Sequence, residues 1–158
     1  MAGPEAPKGQ FEAKKFSIRL TEIEMQYITL LQGMTGTTVI DCIIDEERDR
    51  VIYLVKPGEV GLAVGRNGVN VKSLRKLLRK NIEIIEYAET LERLICNSLF
   101  PARVERVRLR KTADGRKIAI VRVHPEDKGL AIGRGGRNIS RARILAKRYF
   151  DIDNVVIE

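Results

Sequence analysis

Apolar residues along this chain change their spacing in a fixed order, and that order runs twice. Ile23, Tyr27, Leu30 and Leu31 recur at helical intervals behind Thr21 and Glu24, which have the spacing of a capping box. The β-branched runs TVIDCII and VIYLVK follow, and the charged turn DEERDR between them predicts a hairpin. Pro57 ends the second run and opens a short helix reaching Val64. Gly65 to Gly68 interrupt that helix, a longer one is predicted over Val69 to Lys80, and IEIIEY closes the unit as a strand. The second round has a helix in ETLERLICNSLF, stopped by Pro101, then the strands RVERVRLRK and RKIAIVRVH around the turn ADGR. A short helix over Glu126 to Ile132, the turn GRGG, a helix to Tyr149 and the strand NVVIE complete it.

Shifting the sequence by 68 residues superposes the two rounds. Gly61 falls on Gly129, Gly65 on Gly133, Gly68 on Gly136 and Asn70 on Asn138, and the match runs out to Leu77 with Leu145 and Ile84 with Ile152. Twelve of the 32 positions from 55 to 86 are identical, which marks a duplicated structural unit. The predicted class is α+β: two units, each helix-strand-strand-helix-helix-strand, with a three-stranded sheet and helices packed on one face. KKFSIRLT alternates and adds a candidate strand ahead of the first helix. Residues 1–15 read as a flexible tail.

Charge sharpens the picture. The chain has 158 residues, 32% of them charged, and a net charge of +8. Residues 61–80 and 129–148 each hold six basic residues and no acidic one. The rest of the chain carries −4. Random placement would put roughly five acids in those segments, so their emptiness is a feature of the motif. Concentrated positive charge suits a polyanion, of which nucleic acid is the commonest. No run approaches the length of a membrane span, and the expected location is cytoplasmic. Cys42 and Cys96 lack metal-ligand spacing and read as two buried thiols, with a disulfide as the less favoured alternative.

The pattern apolar-Gly-x-x-Gly-x-x-apolar occurs as VGRNGVNV over Val64 to Val71 and as IGRGGRNI over Ile132 to Ile139. Glycine admits positive φ and lets another chain approach closely. Each turn leads into a helix N-terminus, where N–H groups and the macrodipole favour anions. Arg66 and Arg134 sit inside the turns. Asn70 and Asn138, two residues beyond, are placed to cap the following helix or to meet a base, and the cap is the favoured expectation. In the second helices Lys72, Arg75, Lys76 and Arg79 lie opposite Val71, Leu74 and Leu78. Arg137, Arg141 and Arg148 are expected outward against Ile139, Ala142 and Leu145. No P-loop or dinucleotide fingerprint is present, since Asn138 stands where the last glycine belongs. His124, the single histidine, faces Lys56 in the repeat and receives no catalytic role. Enzyme activity, a cofactor, a metal, a small-molecule substrate and a membrane are not expected.

IGxxGxxI between two helices resembles the signature of the KH domain, and the element order resembles its prokaryotic, type II form. Two units carrying PGEVGLAVGRNGVNVK and PEDKGLAIGRGGRNIS resemble the tandem KH region of the archaeal-type NusA family of transcription elongation and termination factors. The resemblance implies a first KH domain over 16–88 and a second over 89–158. It implies single-stranded RNA held by both glycine loops, at about four nucleotides per domain. The groove would lie between the paired helices and the final strand, on an aliphatic floor that suits a chain without Trp. The implied contacts are Val64, Gly65, Arg66, Asn67, Gly68, Val71 and Lys72, with Ile132, Gly133, Arg134, Gly135, Gly136, Arg137, Ile139 and Arg141. RNA polymerase and other transcription factors are the further partners implied. The bacterial pattern adds a polymerase-binding domain and an S1 domain, so RNA binding is implied more firmly than polymerase contact. The alternatives are a tandem-KH ribosome-assembly factor and a protein-interaction scaffold with purely structural glycine turns.

Overall fold

A computed structural model describes residues 19–158. The expected tail and most of the candidate strand KKFSIRLT lie outside the described residues. Two compact units, Arg19–Tyr87 and Ala88–Glu158, divide the rest.

The first unit contains α1 (Glu22–Thr35), β1 (Val39–Asp45), β2 (Arg50–Val55), α2 (Val60–Val64), α3 (Val69–Leu78) and β3 (Asn81–Glu86). The second repeats them as α4 (Leu91–Leu99), β4 (Val104–Lys111), β5 (Lys117–Val123), α5 (Lys128–Ile132), α6 (Arg137–Phe150) and β6 (Asn154–Ile157). Each sheet has its middle strand antiparallel to the first and parallel to the last. The parallel pairing needs a crossover, and the two helices flanking the glycine turn supply it. Both hairpins carry a bulge after their first pair, at Val39/Asp41 and at Val104/Arg106. The helix-strand-strand-helix-helix-strand order predicted from periodicity is therefore the order observed in both units.

Local chemistry explains the element ends. Thr21 accepts the Glu24 N–H at 3.2 Å while Glu24 accepts the Thr21 N–H at 2.8 Å, closing the predicted capping box. Gly36 ends α1 at φ 71°, the left-handed conformation that glycine adopts without strain. Thr90 caps α4 by accepting the Arg93 N–H. The first core gathers Leu31, Cys42, Val51, Tyr53, Leu74 and Ile82. Arg50 is fully buried at the start of β2, paired with Asp45 at 2.8 Å and Glu83 at 3.1 Å, so one guanidinium ties all three strands together. In the second unit α4 packs on α6, and Leu94, Ile95, Leu99, Leu145, Val121 and Val155 are buried. Cys42 is buried and Cys96 is half-buried, and the two are not joined in a disulfide.

Three expectations are corrected. First, the gapless repeat ends inside the second helix. The helix α6 has fourteen residues against ten in α3, so Ile84 lies within β3 while Ile152 precedes β6. Leu77 is 64% exposed and Leu145 fully buried, so their identity does not reflect a shared environment. Second, α3 stops at Leu78, where Arg79 turns left-handed, and does not reach Lys80. Third, Ile23 is exposed, whereas Tyr27, Leu30 and Leu31 do pack in the core.

Candidate nucleic-acid interface

In each unit a five-residue helix, a tight turn and a longer basic helix follow one another without slack. The turn closes with the Gly68 N–H donated to Gly65 O, and the Gly136 N–H to Gly133 O, both at 3.0 Å. Its backbone conformations repeat across the units. Gly65 and Gly133 have φ 81° and 78° with ψ near extended, a combination confined almost wholly to glycine. Asn67 and Gly135 have φ 56° and 63°, in the left-handed region that Asn tolerates. Gly68 and Gly136, at φ 73° and 77°, are the N-caps of α3 and α6, and neither helix has a side-chain cap.

Asn70 and Asn138 do not cap the helices they open, contrary to expectation. Their Nδ2 groups reach back to Leu62 O at 3.3 Å and Leu130 O at 2.8 Å. Those carbonyls belong to the last turns of α2 and α5, where intrahelical partners run out. Each amide thus caps the preceding helix and staples it to the next one. The staple crosses directly over the first glycine. A Cβ on Gly65 would stand 2.7 Å from Asn70 Nδ2, and one on Gly133 2.8 Å from Asn138 Cγ. The first glycine and the asparagine are one device.

Arg66 and Arg134 are exposed at the turns, as are Asn67 and Gly135. Lys72, Arg75 and Lys76 are exposed along α3. Arg137 is half-buried. Arg141 is placed differently from expectation: it is only 7% exposed, and its guanidinium donates to Ser98 O, at 2.9 Å through Nε. It closes the C-terminal turn of α4 and points away from solvent. The aliphatic floor is uneven. Val64 and Val71 are half-buried, Ile139 is core, and Ile132 is 44% exposed. The helices α2 and α5 pack against the edge strands β3 and β6, which places those strands beside the turns.

Two sets of residues escaped the sequence reading. Leu62 and Leu130 occupy matched positions beside the turns and remain exposed in both units, while the next residues, Ala63 and Ala131, are buried. Their identity across the repeat was the available signal. The other set is Glu59 and Asp127, which precede the short helices. Glu59 Oε1 accepts the Thr38 N–H at 2.7 Å, and Asp127 accepts the Arg103 N–H and Nε–H, both at 2.8 Å. Each carboxylate ties its short helix to the backbone ahead of the first strand. Hydrogen bonds and charge from Arg103 hold the Asp127 carboxyl down to about 2. Two acids recurring at one offset across the repeat were the clue. His124 Nδ1 accepts the Glu126 N–H, a turn-capping role.

Among the described residues no cluster of His, Cys, Asp or Glu could hold a metal, and no helix is long and apolar enough to cross a membrane. Comparison with known proteins agrees with this geometry. Residues 26–91 match the KH domain family, and residues 91–156 match the NusA-like second KH domain. The probable transcription termination protein NusA of Halococcus morrhuae is 37% identical over 138 residues, covering 87% of this chain and 96% of that protein. Its counterpart in Halobacterium salinarum is 39% identical over 139 residues, covering 88% and 97%. The crystal structure of APE1850 superposes with a TM-score of 0.81 at 41% identity, covering 88% of this chain and all of that one. With two glycine-turn units in tandem, matched over nearly their whole length, the chain belongs to the archaeal-type NusA family of tandem KH proteins.

Proposed function

We propose that the protein is a single-stranded RNA-binding transcription factor, acting in elongation or termination, and that it grips RNA through its two glycine turns. The observation that carries this reading is the repeated turn itself. Both copies hold their glycines at positive φ, expose one arginine, and open onto an uncapped helix N-terminus free of acidic residues. That combination suits a phosphodiester: close backbone approach, a positive helix end and an exposed guanidinium. Leu62 with Val64, and Leu130 with Ile132, offer aliphatic surface to bases beside each turn. The names of the relatives support the transcriptional part of the reading. RNA polymerase is the protein partner this role requires.

The test is a titration of one RNA sequence as a single strand and as the stem of a hairpin. A narrow clamp contacting one backbone should prefer the single strand by tenfold or more, since base and backbone contacts are both lost in a duplex. Equal affinity would reduce the site to a basic surface, and no affinity for either would favour a protein-interaction scaffold.

A further inference from the structure

The second unit carries another basic surface, made by the outer face of its sheet. In β4 the side chains of Arg106, Arg108 and Arg110 share one face, and the register places Arg122 opposite Arg106. All four are exposed. Ile120 and Ile118 stand opposite Arg108 and Arg110 on the same face, half-buried, with Val156 of β6 beside Ile120. The helices pack on the other face, where Val121, Ala119 and Val155 are buried. Glu158 lies at this face, 3.4 Å from Arg108. Arg106, Arg110 and Arg122 have no ion pair with a described residue.

The fold does not require these arginines. Because the two hairpins share a bulge and a register, their positions correspond one by one. Arg106, Arg108, Arg110 and Arg122 stand where the first unit has Asp41, Ile43, Asp45 and Leu54. Asp41, Ile43 and Leu54 are buried. One copy of this face is thus largely buried, with Arg50 answering Asp45 and Glu83 at one end, and the other is cationic and open. Like charges alternating along a strand repel one another, and a structural role for them would call for carboxylate partners. Same-face residues in a strand stand about 6.8 Å apart, close to the separation of successive phosphates in an extended nucleic acid strand. Guanidinium forks are suited to bidentate phosphate contact, and the isoleucines between them give bases or sugars an apolar seat.

We infer that the outer face of the β4–β5 hairpin is a second, sequence-independent contact for the RNA backbone, engaging RNA that extends beyond the glycine turns. The inference rests on the RNA-binding reading above. It is tested on the full chain with all four arginines changed to Gln, using two single-stranded probes. An oligonucleotide of about six residues fills one clamp of about four and should bind both proteins equally. A strand of about thirty should bind the variant at least tenfold more weakly, and its log–log salt slope should fall by about 2 to 3, at about 0.7 per phosphate contact. Unchanged binding of the long strand by a folded variant overturns the inference while leaving the clamp intact. If neither probe binds the unaltered protein, the RNA reading falls and this inference falls with it. Polyglutamate serves as a protein-like polyanion: loss of its binding alone would assign the face to an acidic protein and overturn the inference. Crosslinking of the unaltered protein to thiouridine-bearing RNA gives a measure independent of the variant's folding. Crosslinks within residues 104–122 are expected, and crosslinks confined to the two glycine turns would refute the proposal.

Discussion

The glycines of the two turns are not interchangeable, and their differences can be measured. Gly133 combines φ 78° and ψ 169° with an asparagine amide lying where its Cβ would be, so two independent penalties meet there. Gly135 is in the left-handed region with open space around its Cβ position, and its counterpart is already Asn67. Gly133→Ala should therefore cost about 1–3 kcal/mol from backbone strain alone, with more from displacing Asn138, and should lower the melting temperature. Gly135→Asp should melt close to the unaltered protein, because Asp enters the left-handed region readily. It should nevertheless weaken RNA binding by the second unit, since it sets a carboxylate beside Arg134, where the proposed clamp would admit a phosphodiester. Thermal melts and RNA titrations of both variants separate the roles. A folded Gly135→Asp protein with undiminished affinity would show that the turn is scaffold only.

At the scale of elements, a carboxylate holds each short helix in place, and in the second unit this link is expected to respond to pH. Asp127 is depressed to about 2 from an ordinary value of 3.8 by the Arg103 guanidinium and N–H. Because its folded value lies below the unfolded one, its stabilisation is complete above the ordinary value. It is lost as pH falls through that value toward the folded one. Asp127→Asn should thus lower the melting temperature at neutral pH, and the gap should close as pH falls to about 2. A gap that stays constant with pH would mean that shape, not charge, anchors α5. This anchor also marks what a sequence conveys and what it withholds. Helical spacing, β-branched runs and the Gly-x-x-Gly turn are local, so the element order and the turn could be read directly. The partners of Asp127, Arg141 and Asn138 lie 24, 43 and 8 residues away, and side-chain direction there depends on contacts that no local pattern encodes. Hence Arg141 read as an outward cation by helical spacing, though its guanidinium closes another helix.

At the scale of the whole chain, charge is divided unequally between units that share one architecture. Residues 1–88 carry a net +1 and residues 89–158 a net +7. The two glycine turns are nearly superposable in backbone angles, so a difference between them in capturing RNA must come from what surrounds them. Attraction over distances beyond contact depends on summed charge and is screened within about 10 Å at 0.1 M salt. Electrostatic steering acts on association, whereas short-range contacts act mainly on dissociation. Arg134 stands in the strongly positive unit and Arg66 in the nearly neutral one. Replacing Arg134 by Gln should therefore slow association with single-stranded RNA several-fold at low salt, and replacing Arg66 by Gln should slow it less. On the proposed reading each would lose one phosphate contact of the same geometry, so both should raise the dissociation rate by similar factors. The contrast in association rates should fade as salt rises, while the dissociation effects persist. Stopped-flow binding at two ionic strengths measures all four quantities. Equal association rates for the two variants at low salt would mean that local turn geometry, and not the charge of the second unit, governs capture.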